Sequence, residues 1–522
     1  MSHVIAYDFG TGGIKASIYQ PDGSCLASHF ATYETYYPQP GWHEQSPRAW
    51  WEALVNATRL MLKEWKGNAG SIAAIGISGH SLGVVPLDAQ GELLRQYGMI
   101  WSDSRPDTQP RQFFENVPEK DWYMTTGSGF PPALYTVFKI MWLRGNEPEV
   151  FRRIHRVLGS KDYINYRLTG VMATDYSYAS GSGVWDLVNW RYDSRLIAAS
   201  GLPNSIFPPA VASSEVIGTL TSEAAAALGL STDVKVVAGG VDNSCMALGA
   251  RAFRDGDAYN SMGSSSWIAV SGSKPLLDIT SRPYVFAHVV PGQFASAIGV
   301  FSTGSSLRWM REQLCRNLDP EAAQRKISTY DLIIEKAGHA PMGARGVMFL
   351  PTLAGGSSLD PSPNVRGAFV QIELGTTQED LCRAGLEGIS MAQAQALKAL
   401  ESLAPLSDEI LAVGGGSNSD LWMQIYADMY GKCMIRSQVG QQAAALGAAA
   451  IAFVGIGAWS SYQPVASIHQ VIDRREPVPA NRNFYAKRMP LFEKLNRCMS
   501  EIGNEAAIYG LMRTICDEAP RD

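Results

Sequence analysis

The sequence predicts an α/β fold made of two similar halves, and three observations predict it. The chain opens on a strand, a glycine-rich turn and a second strand, at residues 4–8, 10–13 and 14–19. A hairpin of the same kind returns at 258–262, 263–266 and 267–270, splitting the chain into parts of similar size, as an internal duplication would. The chain is 522 residues long, more than one domain at roughly 100–200 residues each.

The remaining elements follow in order. Pro21-Asp22-Gly23 is a turn signal, and 25–32 reads as a third strand. Ser46-Pro47 starts a helix with Trp50, Leu54, Ala57 and Leu60 at helical spacing. Residues 72–78 and 84–87 read as strands, and 107–116, 133–144 and 161–168 as helices. Strand 234–238 leads through Gly239-Gly240 to a helix at 245–252, which puts Asp242 in the N-cap region. In the second half, helices at 377–403 and 419–430 flank a strand at 410–413 that ends in Gly414-Gly415-Gly416. The Ala-rich stretch 441–454, between Gly440 and Gly455, reads as a buried helix, and the last ~30 residues read as helical by periodicity.

Composition excludes several classes. Apolar types make up 46% and charged types 18%, the profile of a packed globular protein rather than a disordered chain. With 44 Lys+Arg against 49 Asp+Glu, the net charge of −5 gives no electrostatic basis for binding nucleic acid, so phosphate must be handled by local geometry. The seven Cys show no CxxC and no zinc-ligand spacing, which suits thiols in a reducing cytoplasm. The start carries no signal-peptide pattern, and the most apolar stretch falls short of the ~20 residues of a membrane span. A cytoplasmic protein without membrane partners is expected.

Gly79-His80-Ser81-Leu82-Gly83 matches G-x-S-x-G, the nucleophile elbow of α/β-hydrolases. An elbow needs a helix directly after the serine, whereas Val84-Val85-Pro86-Leu87 favours extended chain, so the motif fails.

The constellation that carries chemistry lies elsewhere. Asp8-Phe9-Gly10-Thr11-Gly12-Gly13 joins a carboxylate at a strand end to a turn whose backbone N–H groups can approach phosphate closely, and Lys15 follows on the next strand. Asp8 suits Mg²⁺, a hard cation that prefers carboxylate oxygen. Gly263-Ser264-Ser265 forms the matching turn of the second hairpin. Two such turns facing one cleft would grip a polyphosphate from both sides, the layout of actin-like, ribonuclease-H-like ATP-binding folds. Gly415 and Gly416 offer flat backbone for a nucleobase. Asp242 reads equally as a helix cap, contributing ~1 kcal/mol, or as a general base at the junction of the halves.

On these segments the chain resembles the FGGY family of carbohydrate kinases, and within it the pattern is most similar to the xylulose kinases. The resemblance runs through Asp8 to Lys15, Pro40-Gly41-Trp42-His43-Glu44-Gln45, Trp101-Ser102-Asp103-Ser104-Arg105 and Lys161-Asp162-Tyr163. It continues through Gly239-Gly240-Val241-Asp242-Asn243, Gly304-Ser305-Ser306-Leu307, Phe349-Leu350-Pro351, Arg366-Gly367-Ala368-Phe369, Gly414-Gly415-Gly416-Ser417-Asn418 and Ala445-Leu446-Gly447. It implies two actin-like domains, at 1–249 and 250–522, with the active site in the cleft between them. The implied reaction is transfer of the γ-phosphoryl group of ATP to a hydroxyl of a ketopentose such as xylulose, with Mg²⁺ as cofactor. In that scheme Asp242 is the base, Asn243 and Asp103 meet the sugar, and Asp8 serves the metal. Gly10, Thr11, Gly12, Lys15, Gly263, Ser264, Ser265 and Gly304 lie on the phosphate side, and Gly415, Gly416 and Asn418 on the adenosine side. The partners implied are a small sugar or polyol and ATP, with a homodimer left open.

One departure bears on the acceptor. The xylulose kinases read SGQMHG where this chain has Ser78-Gly79-His80-Ser81-Leu82-Gly83. The Met-His pair that helps hold their sugar is here Ser81 and Leu82, and Leu82 cannot donate a hydrogen bond; His80 is a substitute contact or a structural histidine. Leu134, near another sugar-facing stretch, is likewise apolar, and Gln442 replaces a common Glu. A kinase for ribulose, a polyol, gluconate or a signalling sugar, and an actin-like nucleotide-binding protein without catalysis, stand as alternatives.

Overall fold

The computed structural model describes residues 2–263, 266–300 and 303–511. The expectations for Ser264, Ser265 and residues 512–522 lie outside the described residues.

Residues of the first half form one mixed sheet, in the order Val216–Thr219, Lys235–Val237, Ile72–Gly79, His3–Gly10, Gly13–Tyr19, Cys25–Thr32, with Gly240–Val241 also pairing on Ile72–Gly79. Residues of the second half form another, in the order Tyr284–Ala287, Phe294–Val300, Ser266–Gly272, Ala258–Met262, Glu409–Val413, Cys433–Ser437, Val471–Arg475. The two sheets share one plan. Three antiparallel strands in the first sheet, and four in the second, are followed by two parallel strands and an antiparallel edge. The hairpin similarity in the sequence therefore marks a repeated sheet. Parallel neighbours need long crossovers; the first runs between Thr32 and Ile72, through helix Pro47–Trp65, whose start Ser46 caps by accepting the N–H of Ala49. Trp50, Leu54 and Ala57 of that helix are buried against the first sheet, as the helical spacing predicts.

Helix Ala443–Gly455 fastens the halves together. It comes from the second half, yet it packs against helix Asp242–Gly249 and against strands His3–Gly10 and Ile72–Gly79 of the first. Small residues make that approach possible. A Cβ on Gly447 would collide with the Cys245 carbonyl, one on Gly249 with the Ala443 carbonyl, and one on Gly76 with the Ala448 carbonyl. The buried cluster around this helix draws Val4, Ala6 and Val237 from one half and Leu411, Val413 and Ile435 from the other. One element differs from expectation in a way that matters for the site. The helix read as 245–252 begins at Asp242, after the N-cap Val241, so Asp242 sits in its first turn and does not cap it. Pairing of Gly240–Val241 with Ile72–Gly79 delivers the chain to the helix earlier than the pattern of apolar residues suggests.

Candidate active site

The two sheet plans bring their loops to one place. A cavity of about 430 Å³ is lined by Thr11 from the first hairpin turn and Gly263 from the second, with Asp242 and Asn243 between them. His80, Ser81 and Leu82 also line it, as do Trp101 and Phe130, while Gly414 and Gly415 close the opposite side. A second cavity of about 690 Å³ shares Gly263 and Gly415 with the first and continues along Gly304, Gly416 and Asn418 to Leu307, Tyr330 and Trp422. The lining residues divide by kind. The first cavity is walled by side chains from the N-terminal half on one side; the passage between the two cavities is backbone of Gly263 and Gly415.

Strand pairing fixes the carboxylates. Strand Ile72–Gly79 lies between His3–Gly10 and Gly240–Val241, with Ser78 in register with Asp8 on one side and with Gly240 on the other. Asp8 and Asp242 thus stand at the ends of strands that flank the same position. Asp8 is also opposite Lys15 across the hairpin, and the Ser78 hydroxyl donates to its Oδ1 at 3.5 Å. Burial pushes the Asp242 carboxyl up to about 7, the N–H of Asn243 at 2.8 Å from Oδ1 opposes this, and the nearby charge of Asp8 adds to it. Burial raises Asp8 to about 6 against the pull of Lys15 and Ser78.

The first hairpin turn is held from outside. Gln45 donates from Nε2 to the Thr11 carbonyl at 2.7 Å, and the Trp101 indole N–H donates to Thr11 Oγ1 at 2.9 Å. Accepting from Trp101 leaves the Thr11 hydroxyl proton available to a ligand. Tyr33 donates to the Gly10 carbonyl from behind. Gly10, Gly12, Lys15 and Asp8 belong to this hairpin, behind Thr11, and are not among the lining residues of the first cavity.

The acceptor-side expectations separate. His80, Ser81, Leu82 and Asn243 are brought together around the cavity. His80 is buried between Phe9 and Trp50, its Nδ1 is 3.3 Å from Ser160 Oγ, and burial, with the charge of Lys139, lowers it to about 3, so its ring is neutral. Asp103 is not in the lining. It is fully buried, its two oxygens accept from Arg105 Nε at 2.9 Å and Nη2 at 2.6 Å, and it accepts the N–H of His43 at 2.8 Å. Its pairing fixes the loop that carries Trp101. Leu134 lies in the short turn Pro132–Leu134 against a buried aromatic cluster. Gln442 accepts from the Tyr19 hydroxyl at 3.4 Å, on the far side of the seam. The elbow reading fails on the structure as well, because Val85–Leu87 is a strand.

Sequence reasoning missed Trp101, Phe130 and Tyr284 as wall residues. Phe130 from the first half stacks on Tyr284 of the second, ring centroids 4.1 Å apart, closing the cavity across the seam. The one legible signal was Trp101, which stands in a quoted motif.

A divalent cation fits this donor set. Among the described residues no group of three or more His, Cys, Asp or Glu is gathered to cage an ion. Mg²⁺ characteristically takes one or two carboxylates and completes its shell with water and phosphate oxygens, which is what Asp8 beside the Thr11 turn offers. No helix among the described residues is long and apolar enough to cross a membrane.

Comparison with known proteins agrees with this geometry. The model of the FGGY family of carbohydrate kinases, N-terminal domain, matches residues 3–249, and that of its C-terminal domain matches residues 258–456. The chain is 29% identical over 493 residues to xylulose kinase of Staphylococcus epidermidis, covering 94% of this chain and 96% of that protein. It is 31% identical over 452 residues to xylulose kinase of Escherichia coli K12, covering 86% and 89%. The crystal structure of xylulose kinase from Rhodospirillum rubrum superposes with a TM-score of 0.86 at 28% identity, over 96% of this chain and 100% of that one.

Proposed function

The chain belongs to the FGGY family of carbohydrate kinases, which use ATP as phosphoryl donor, and from that premise we propose that it phosphorylates a ketopentose such as xylulose with Asp242 as general base. The observation that carries the reading is the position of Asp242. It lies in one cavity with both hairpin turns, and its carboxyl is raised to about 7, near the pH at which a base is most effective.

The chemistry follows from the geometry. The acceptor lies against His80, Ser81, Leu82 and Asn243, and its reacting hydroxyl faces Asp242. Asp242 accepts the hydroxyl proton as the new O–P bond forms and the bond to the leaving ADP breaks. Thr11 and Gly263 orient the triphosphate from opposite sides, with Lys15 supporting from behind the first turn, and the second cavity receives adenosine along Gly304, Gly415, Gly416 and Asn418. Asp8 would hold Mg²⁺, which would supply charge neutralisation on the phosphate oxygens. Catalysis of this kind is chiefly positioning and charge stabilisation, which suits a site built from turns and glycines. Closure of the halves over the bound sugar would exclude the water that otherwise competes with it.

A second reading concerns the acceptor. Ser81 and Leu82 stand where the Met-His pair is expected, and Phe130, Met246 and Trp267 add apolar surface to the same cavity. These residues favour an acceptor that presents fewer hydroxyls to this wall than xylulose does. The test is ADP release on a panel of ketopentoses, polyols, gluconate and deoxyketoses, with Asp242→Asn as control. Acceptor-dependent turnover lost in the control supports the reading. ATP binding with no turnover on any acceptor would favour a nucleotide-binding protein without catalysis.

A further inference from the structure

Lys139 lies on helix Thr136–Asn146, within the segment the sequence reads as a helix over 133–144, and its side chain is fully buried. Its ammonium donates to three backbone carbonyls from two separate loops: Leu82 at 3.0 Å, Ile100 at 2.7 Å and Trp101 at 3.2 Å. All three N–H donors of the ammonium can be used in this way. Two of the residues so held, Leu82 and Trp101, line the first cavity. Leu82 is held at φ 61°, a left-handed conformation that a branched side chain adopts only under constraint, and the bond from Lys139 to its carbonyl supplies one. The indole of Trp101 goes on to Thr11 Oγ1 at 2.9 Å. One buried cation thus ties the acceptor wall to itself and, through Trp101, to the first phosphate-side turn.

We propose that Lys139 is a positioning residue for the acceptor: it holds the Leu82 and Trp101 loops in the arrangement that binds the sugar, without touching the sugar or the nucleotide. The proposal rests on the reading of this cavity as the acceptor site. The charge state of Lys139 enters through its surroundings. Burial lowers it to about 7; Asp103 on the loop after Trp101 opposes the shift and Arg105 adds to it, and the neutral His80 ring and His43 also face it. Below that pH the ammonium has three N–H groups for three carbonyls; above it the neutral amine has two, so one of the three bonds that fix the two loops is lost.

The test is steady-state kinetics of Lys139→Met, close in length and apolar, on the best acceptor of the panel. The acceptor KM is expected to rise tenfold or more while the ATP KM stays within about twofold. In the wild type the acceptor KM is expected to rise as pH increases through about 7, and that rise is expected to vanish in Lys139→Met. Should the variant fail to fold, Lys139→Gln, which keeps an N–H donor, is read in its place, with a smaller rise expected in the acceptor KM alone. An unchanged acceptor KM in a folded variant, equal rises in both KM values, or a wild-type acceptor KM that is flat above pH 7 would overturn the role of Lys139 while leaving the kinase reading intact. Absence of phosphorylation of every acceptor would remove the reading and the proposal together.

Discussion

The two walls of the cleft are built in opposite ways. The proposed acceptor wall consists of side chains held by buried charge: Lys139 under Leu82 and Trp101, and Asp103 with Arg105 and Glu44 under the Trp101 loop. The Arg105 guanidinium is itself packed over Trp42 at 4.0 Å. The proposed nucleotide wall brings backbone of Gly263, Gly304, Gly415 and Gly416 to the cavity, among side chains that include Arg308, Asp331 and Asp420. On the proposed assignment, the difference matches what each side would have to recognise. A polyphosphate presents the same oxygens in every reaction and is met by backbone N–H groups, whereas a sugar is told from its relatives by individual hydroxyls and so needs oriented side chains. Changes in acceptor preference are therefore expected on the side-chain wall, and Ser81 and Leu82 stand there.

That division can be broken or sharpened by substitution. The largest effect is expected at the seam: Asp242→Asn should lower kcat by roughly 10²–10⁴-fold, with ATP and acceptor binding and Tm little changed, as measured by coupled assay, calorimetry and thermal melting. Near-normal turnover would reduce Asp242 to a helix residue. Next is the backbone wall. The nearest neighbour that a Cβ on Gly415 would meet is the end of Gln441, at 3.9 Å, so the added side chain of Gly415→Val would project into the cavity. The ATP KM should rise tenfold or more with acceptor KM unchanged; a rise in acceptor KM alone would invert the assignment of the walls.

The pH profile comes third. A base must be unprotonated to work, and the raised Asp242 carboxyl loses its proton through about pH 7, so kcat at saturating acceptor should rise to a plateau above that pH and fall about tenfold per unit below it. Below about pH 6 protonation of Asp8 should steepen the fall. A profile flat from pH 5 to 8 would contradict the role of either carboxylate. The smallest effect is at the link between the walls. Trp101→Phe keeps the ring but removes the hydrogen bond to Thr11, a loss of about 0.5–1.5 kcal/mol, and both KM values should rise by a few-fold.

Much of the backbone wall was legible in the sequence, because glycines mark their function locally. Gly10 to Gly13, Gly263 and Gly414 to Gly416 each follow a strand that alternates or runs apolar, and the structure keeps those strands at His3–Gly10, Ala258–Met262 and Glu409–Val413. The Ala-rich helix was legible from composition, since a helix apolar on all sides has to be buried. The side-chain wall was not. Lys139 reaches carbonyls 38 to 57 residues away, and Trp101 meets Thr11 across 90 residues. No local period records such contacts. Asp103 shows the same limit: its motif suggests a sugar contact, while folding sets Arg105 against both of its oxygens.

The most direct test of the account is a crystal structure with a non-hydrolysable ATP analogue, Mg²⁺ and the best acceptor bound together. The account predicts a triphosphate passing between Thr11 and Gly263, adenosine along Gly415 and Gly416, and one acceptor hydroxyl within about 2.6–3.2 Å of the Asp242 carboxylate. A nucleotide seated away from both turns, or an acceptor with no hydroxyl near Asp242, would contradict it.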